Sequence, residues 1–374
     1  MCNPNRSGQI RTYLVGGAVR DWLLGRIPRE YDFSFAVDTP TFLQRNPSAR
    51  KVGKSVSVIL LEGQEYTPLA GSVEADLRRR DLTINALALE SNGVLHSHPD
   101  ALADLAAGVL RPASPTSFCD DPARVFRLAR FACEWPAFTV HPEGIAQMRA
   151  VAASSLLASL PAERIGRELH KALAAPKPSR WLAVLAEGGC LAPWLCPLEK
   201  AADIPAGPVA YHSGSVLAHL MEMMDAVAGD PLRVWMALCH DLGKMDSPAA
   251  MLPHHYGHEL RGAVIAEQLA LRLGLPTRYR TAGALTSLLH MKAGIYATLR
   301  PGTRCDLLTQ VHGAGLDEPF WAVVEADSGL SLRASVQRDL DRILSVRLPP
   351  LGQNRGKDSG LRLRLLRCKA LSAG

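Results

Sequence analysis

The 374-residue chain carries 42 Lys+Arg against 36 Asp+Glu, a net charge of +6, with 47% hydrophobic and 21% charged residues. That length is too great for one compact core, so two or three domains are expected, and the charge permits a polyanionic partner without requiring one. No apolar run approaches the roughly 18 residues of a membrane helix, and the opening residues lack the apolar centre of a signal peptide. Eight cysteines occur without a C-x-x-C pair, which suggests neither a zinc ribbon nor a disulfide framework and makes a reducing cytoplasm the expected location.

Tyr13 to Asp32 reads as a strand (Tyr13, Leu14, Val15), a break at Gly16-Gly17, a short amphipathic helix ending at Gly25, and an extended run E-Y-D-F-S-F-A-V. Residues two apart on a strand share a face, so Glu30 and Asp32 are expected to project together. Two carboxylates on one face are costly unless paired and suit Mg²⁺, which usually brings a substrate phosphate with it. Gly16-Gly17 before a helix adds backbone N–H groups able to approach phosphate oxygens.

The segment K-S-V-S-V-I-L-L-E-G-Q-E-Y is predicted to form a strand, a turn at Glu62-Gly63 and a second strand carrying Glu65; an exposed strand Glu explains that residue by spacing equally well. The string E-A-D-L-R-R-R-D-L-T-I-N-A follows. In it Arg80 offers a fork of donors to a triphosphate or ribose, and Asn85 both donates and accepts near a sugar. A helix start capped by Asp81 or Thr83 would account for the charges but not for the string.

In S-F-C-D-D-P-A-R-V-F-R-L-A-R, Asp121 is predicted to cap a helix with Pro122 at its first position. Asp121 and Arg124 are then neighbours on one face. Either they form an ordinary ion pair, or they read a base: the carboxylate accepts from an exocyclic amino group while the guanidinium donates to the adjacent ring nitrogen. Cytosine and adenine satisfy that pattern; uracil and guanine do not. Basic residues cluster at Arg78, Arg79 and Arg80, along Arg124, Arg127 and Arg130, and from Arg355 to Lys369.

With V-G-G-A-V-R-D-x-L-L-G, carboxylate-x-carboxylate, R-R-D-L-T-I-N-A and D-D-P-A-R in place, the chain resembles the bacterial-type (class II) tRNA CCA-adding nucleotidyltransferases and their poly(A) polymerase relatives. The resemblance implies a head of the DNA polymerase β type. In it Glu30 and Asp32 hold Mg²⁺ and Glu65 is the third carboxylate. Gly16, Gly17, Arg20, Arg80, Asp81, Asn85 and Arg127 bind the nucleotide, and Asp121 with Arg124 acts as its template. Asp120 stands where the family usually has Glu, Glu30 where it has Asp, and Ser97 where it has Asp. The stretch after Asp38 is compact, and the link from Tyr66 to Asp76 is much shorter than the family's flexible loop, which is associated with the change from CMP to AMP addition.

Residues from about 140 to 200 are predicted helical, and the Pro-containing A-A-D-I-P-A-G-P marks a boundary near 200 to 210. Beyond it come His219, His240-Asp241 in H-D-L-G-K, then His254, His255 and His258, His290, and Glu325-Ala326-Asp327. The order His…His-Asp…Asp resembles the HD phosphohydrolase superfamily. That implies a metal held by His219, His240, Asp241 and Asp327, with His255 and His258 as candidate extensions. Mixed nitrogen and oxygen ligands suit Ni²⁺, Mn²⁺, Co²⁺ or Fe, and such a metal activates water toward a phosphate ester.

The expected fold is α+β: a polymerase-β-type nucleotidyltransferase head with a small mixed sheet (1–110), an all-α neck and body (111–200), an all-α HD domain (201–345) and a basic tail (346–374). The expected function is addition of CMP, AMP or both from CTP and ATP to a tRNA 3′ end, with no DNA or membrane partner and no oligomeric state assigned. A poly(A) polymerase, an HD phosphohydrolase with a degenerate head and a non-catalytic RNA-binding protein are the competing readings.

Overall fold

The structure, a computed structural model, describes residues 10–52, 58–209, 214–349 and 356–372. The opening segment, the first half of the predicted strand at Lys54–Ser57, and Arg355 of the basic tail lie outside the described residues. The fold divides into two units, one of residues 1–159 with 187–190 and one of 160–186 with 191–374. No helix among the described residues is long and apolar enough to cross a membrane.

The first unit is built on a mixed sheet. Its elements in order are β1 (Thr12–Val15), α1 (Gly17–Leu23), β2 (Asp32–Phe35), α2 (Thr39–Arg45), β3 (Arg50–Val52), β4 (Val58–Leu61), β5 (Gln64–Pro68), α3 (Val73–Arg78), β6 (Leu87–Glu90), β7 (Leu95–Ser97) and α4 (Ala101–Ala107). Then come β8 (Val109–Leu110), α5 (Ser117–Asp120), α6 (Arg124–Glu134), β9 (Thr139–Val140) and α7 (Pro142–Ala152). Among the described residues the sheet order is β3-β4-β5-β2-β1-β6-β7. Only the β2–β5 pair in it is parallel.

Alternation along β1 sets the layers. Tyr13 and Val15 pack with Val73 and Leu77 of α3, while Leu14 packs with Ala18 and Val19 of α1 and with Ala101 of α4. Each such buried side chain contributes about 1.5–3 kcal/mol. The predicted turn at Glu62-Gly63 is present. Both residues have positive φ, 52° and 79°, the requirement of a tight two-residue hairpin between β4 and β5.

The second unit is helical: α8 (Ala162–Leu173), α9 (Ser179–Glu187), α10 (Val216–Ala226), α11 (Pro231–Cys239), α12 (His258–Arg272), α13 (Thr277–Gly294), α14 (Pro301–Gly313), α15 (Asp317–Ser328), α16 (Arg333–Ser345) and α17 (Lys357–Ser372). The last residue of α9 belongs to the first unit. The central helix is α11, with Leu232, Val234, Trp235, Met236, Ala237, Leu238 and Cys239 all buried. A helix apolar on nearly all sides, as here but for Arg233, belongs in a core. Asp230 starts it by accepting from the Leu232 and Arg233 amides at 2.8 and 2.9 Å, with Pro231 at its first position.

After α11 the chain turns through His240 and Asp241 into a short 3₁₀ segment, Leu242–Asp246. That turn lies hard against α12. A Cβ on Gly243 would collide with the His258 carbonyl and come within 2.6 Å of the Gly262 amide nitrogen. The G of H-D-L-G-K is therefore a packing requirement. Gly243→Ala should lower stability by about 1–3 kcal/mol, the range for overpacking a dense site, read as a reduced urea midpoint of unfolding.

Candidate functional site

The first unit gathers the head motifs around β1, β2 and β5. Asp32 opens β2 and lies in register with Glu65 on β5, and both are exposed. Glu30 is exposed too, but it precedes the strand: a bend at Arg29, just after Pro28, delays β2 until Asp32. The expectation that Glu30 and Asp32 share one strand face thus does not hold at Glu30. An exposed, oxygen-only donor set of this kind fits a hard divalent cation.

Gly16 ends β1 with φ 70° and ψ −131°, a conformation open to glycine. Its amide donates to the Leu87 carbonyl at 2.9 Å, so this N–H closes the sheet and is not free for phosphate. A Cβ at Gly16 would lie 3.4 Å from Arg80 Nη1, which places Arg80 beside this turn. Arg80 is steadied by Asp76, whose Oδ2 accepts from Nη2 at 3.0 Å.

Behind them runs a buried polar chain. Arg20 Nη1 donates to Asn85 Oδ1 at 2.6 Å, and Asn85 Nδ2 donates to Asp81 Oδ1 at 3.0 Å. Arg127 donates to Asp81 Oδ2, through Nε at 2.8 Å, and its Nη2 lies 2.7 Å away. Burial alone would push the Asp81 pKa up. The Arg127 charge, the Asn85 amide and the Leu82 N–H outweigh it and hold the carboxyl far below the usual range. Arg20 is buried, also bonds Asp21 at 2.7 Å, and lies over the Phe131 and Trp135 rings. It is therefore placed to hold α1, Asn85 and α6 together.

The template segment departs from its expected start. Helix α6 begins at Arg124, not Pro122. Asp121 is extended (φ −143°, ψ 96°), and its Oδ1 accepts from the Ala123 amide at 3.3 Å. The cause is a tight i→i+3 entry, with Arg124 N donating to Asp121 O and Val125 N to Pro122 O. Arg124 Nη1 donates to Ser117 Oγ at 2.9 Å and to the carbonyls of Ser117 and Arg80, while Nη2 donates to the Arg79 carbonyl. Arg130, which by spacing belongs to a basic stripe, is instead buried and donates to Glu134 Oε1 at 2.6 Å.

The second unit brings together His219 (α10), His240 and Asp241 (after α11), Asp327 (α15), His258 (α12) and His290 (α13). His219 Nε2 lies 3.2 Å from Asp241 Oδ2 and 3.5 Å from Asp327 Oδ1. His240 Nε2 lies 3.0 Å from Asp241 Oδ2 and 3.7 Å from Asp327 Oδ1. Burial disfavours charge on His219, but the two carboxylates outweigh it and raise its pKa to about 9. Burial likewise opposes ionisation of Asp327, and His219 and His240 reverse this, lowering it to about 2. His240 Nδ1 is 2.6 Å from the Ala237 carbonyl, which fixes the tautomer and turns Nε2 inward, the arrangement a metal-ligating imidazole needs. The nitrogen and carboxylate donors fit a first-row transition metal.

His255 is not part of this cluster, since its two nitrogens are engaged by Ser247 Oγ at 2.7 Å and the Pro205 carbonyl at 2.8 Å. His254 stacks on Tyr256, and Glu325 pairs with Arg333. Sequence reasoning left His290 without a role and passed over Lys244, whose Nζ is 2.7 Å from Asp241 Oδ2. Lys244 was legible as the residue three after Asp241. His290, a lone histidine inside a helix, carried no local signal.

Comparison with known proteins bears on both units. Residues 137–200 match the family described as the probable RNA and SrmB-binding site of polymerase A, and residues 209–343 match the HD domain family. The chain is 36% identical over 343 residues to the multifunctional CCA protein of Azoarcus sp., covering 85% of this chain and 82% of that one. It is 37% identical over 341 residues to the multifunctional CCA protein of Chromobacterium violaceum, covering 85% and 83%. Among solved structures, the Bacillus stearothermophilus CCA-adding enzyme in complex with CTP is similar with a TM-score of 0.65 at 22% identity, over 97% of this chain and 89% of that one. At that identity the likeness speaks to fold alone, and it agrees with the expected α+β class.

The Asp81 hub predicts an acid response. Its folded pKa is depressed below the unfolded value of about 3.9, so its contribution is complete above about pH 4 and is lost as pH falls toward the folded value. The melting temperature of the parent chain should drop more between pH 5 and pH 3 than that of Asp81→Asn, as measured by calorimetry.

Proposed function

The chain belongs to the multifunctional CCA protein family, and on that premise we propose a tRNA nucleotidyltransferase that adds CMP, AMP or both from CTP and ATP to the tRNA 3′ end. The observation that carries this reading is the register of Asp32 with Glu65 on the parallel β2–β5 pair, beside the Gly16 turn and Arg80.

Asp32 and Glu65, with Glu30 on the approach to β2, would hold Mg²⁺. Bound there, it would lower the pKa of the RNA 3′-hydroxyl and neutralise the triphosphate. The remaining work falls to the protein's own groups. Arg80 binds phosphate, with Asp76 fixing its guanidinium. The Arg20–Asn85–Asp81–Arg127 chain sets the position of α6 against the R-R-D-L-T-I-N-A segment. Arg124, anchored on carbonyls of that segment, donates to a ring nitrogen, and Asp121 accepts from the exocyclic amino group. Cytosine and adenine are thereby accepted. Exposed Arg167 and Lys171 on α8 engage RNA phosphates, and replacing either with Ala should make tRNA binding less steeply dependent on salt.

A second activity is supported by the histidine–aspartate cluster of the second unit. His219, His240, Asp241 and Asp327 would hold Ni²⁺, Mn²⁺, Co²⁺ or Fe, which supplies Lewis acidity toward a phosphate ester. Seven described cysteines are free, in keeping with work in the reducing cytoplasm.

The two activities are separable by mutation. Asp32→Ala should abolish incorporation of labelled CTP and ATP on tRNAs ending at the discriminator base, C or CC, while leaving metal-dependent phosphatase activity. Asp241→Ala should do the reverse. Undiminished incorporation by Asp32→Ala would overturn the head assignment. The products formed with CTP alone, ATP alone or both separate CCA, CC and A addition from poly(A) synthesis.

A further inference from the structure

Arg124, the proposed reader of the base, is itself held. Its Nη1 donates to Ser117 Oγ at 2.9 Å, to the Ser117 carbonyl at 3.1 Å and to the Arg80 carbonyl at 3.3 Å. Its Nη2 donates to the Arg79 carbonyl. Asp120, the acid beside Asp121, turns to Thr116 and accepts from its Oγ1 at 2.9 Å. The guanidinium is thus anchored by neutral oxygens, two of them from Ser117.

Ser117 is wholly buried, and the direction of its hydroxyl follows from its partners. A guanidinium only donates, so the Ser117 oxygen accepts from Arg124 and its own hydrogen goes elsewhere. The Asp81 carbonyl lies at 3.1 Å and the Arg80 carbonyl at 3.4 Å. Asp81 is the nearer, and its carbonyl is steadied by the Ala113 amide, which donates to it at 3.2 Å. Asp81 therefore holds Arg127 through its carboxylate and, by way of the Ser117 hydroxyl, holds Arg124 through its carbonyl.

A guanidinium carries five N–H groups. Nη1 commits both of its hydrogens to Ser117 and Arg80, and Nη2 commits one to Arg79. Among the described residues this leaves Nε–H and the second Nη2 hydrogen to meet a base. Cytosine and adenine offer a ring-nitrogen lone pair at that place, whereas uracil and guanine offer an N–H. A guanidinium that cannot turn meets the wrong base donor against donor, and specificity needs such a repulsive element. A loosened guanidinium turns aside and relieves it. Rejection of the wrong base therefore depends on the anchor as well as on the arginine.

We propose that Ser117 is a positioning residue for base specificity: its buried hydroxyl links the Arg124 guanidinium to the Asp81 carbonyl and fixes which N–H groups face the incoming nucleotide. This rests on the reading of Asp121 and Arg124 as the base-selecting pair. Being wholly buried, Ser117 acts through Arg124 and not on the nucleotide.

The test is nucleotide preference. Steady-state incorporation of CTP or UTP into tRNA ending at the discriminator base, and of ATP or GTP into tRNA ending in CC, is measured for the full-length parent and its variants, with melting temperatures alongside. In Ser117→Ala the ratio of kcat/KM for the right base to that for the wrong one should fall about tenfold to hundredfold, the scale on which a misplaced positioning group acts. Ser117→Cys, which keeps the volume but offers a weaker acceptor, should fall between, and it carries the test if Ser117→Ala fails to fold. Thr116→Ala should keep the parental ratio. A merely structural role would lower the active fraction for both bases alike, so an unchanged ratio in folded Ser117→Ala overturns the proposal. So does an equal fall in Thr116→Ala. Arg124→Ala reports separately on the underlying reading. If it loses the preference while Ser117→Ala retains it, the Ser117 proposal alone falls. If the parent shows no preference, or Arg124→Ala retains it, the base-selecting reading falls and the proposal with it.

Discussion

One buried carboxylate, Asp81, ties the first unit together. It is reached from α1 by way of Arg20 and Asn85 and from α6 by Arg127. Elements far apart in sequence thus converge on a single charge. A buried ion survives only if its partners replace the water it has given up, and here the partners are motif residues. That constraint gives the string around Asp81 its chemical character: Arg20 and Asn85 hold the frame on which the half-buried Arg80 and the exposed Asp32–Glu65 pair are displayed.

The second unit repeats the device with a different outcome. Asp241 is also buried and also partnered, by Lys244 and two imidazoles, but one of its oxygens remains unmatched. In the first unit the buried carboxylate is satisfied by fixed donors and is structural. In the second it sits beside a lysine ammonium and among imidazoles whose nitrogens lie close enough to it to share a metal ion. The two carboxylates differ in their partners, guanidinium and amide donors in the first unit, imidazoles and an ammonium in the second.

Much of this was legible in the residues. The Tyr13–Val15 strand, the Gly16 break and the Glu62-Gly63 turn all follow from local chemistry, because glycine and hairpin turns impose backbone conformations directly. That Glu65 stands as a third carboxylate came from the family resemblance, since spacing alone explained it equally well as an exposed strand residue. What escaped was decided by tertiary packing. Arg124, Arg127 and Arg130 look alike at three-residue spacing, but α6 turns Arg130 inward and leaves Arg127 on Asp81. The helix start shifted because Asp121 entered through an i→i+3 turn, which side-chain preference does not foretell. His290 depends on the phase of α13 against α12, a relation that no flanking residue encodes.

Between β5 and α3 the chain has only four residues, Leu69 to Ser72. Fully extended, four residues span about 14 Å at most. Glu65 at one end and the Asp76–Arg80 segment at the other are therefore on a short leash, and the Ser72 cap on the Ala75 amide takes up part of the slack. Neither end can swing far without dragging the other. The spacing between the Glu65 strand and the Arg80 segment is thus set by a short tether and by packing, with no long loop between them to travel.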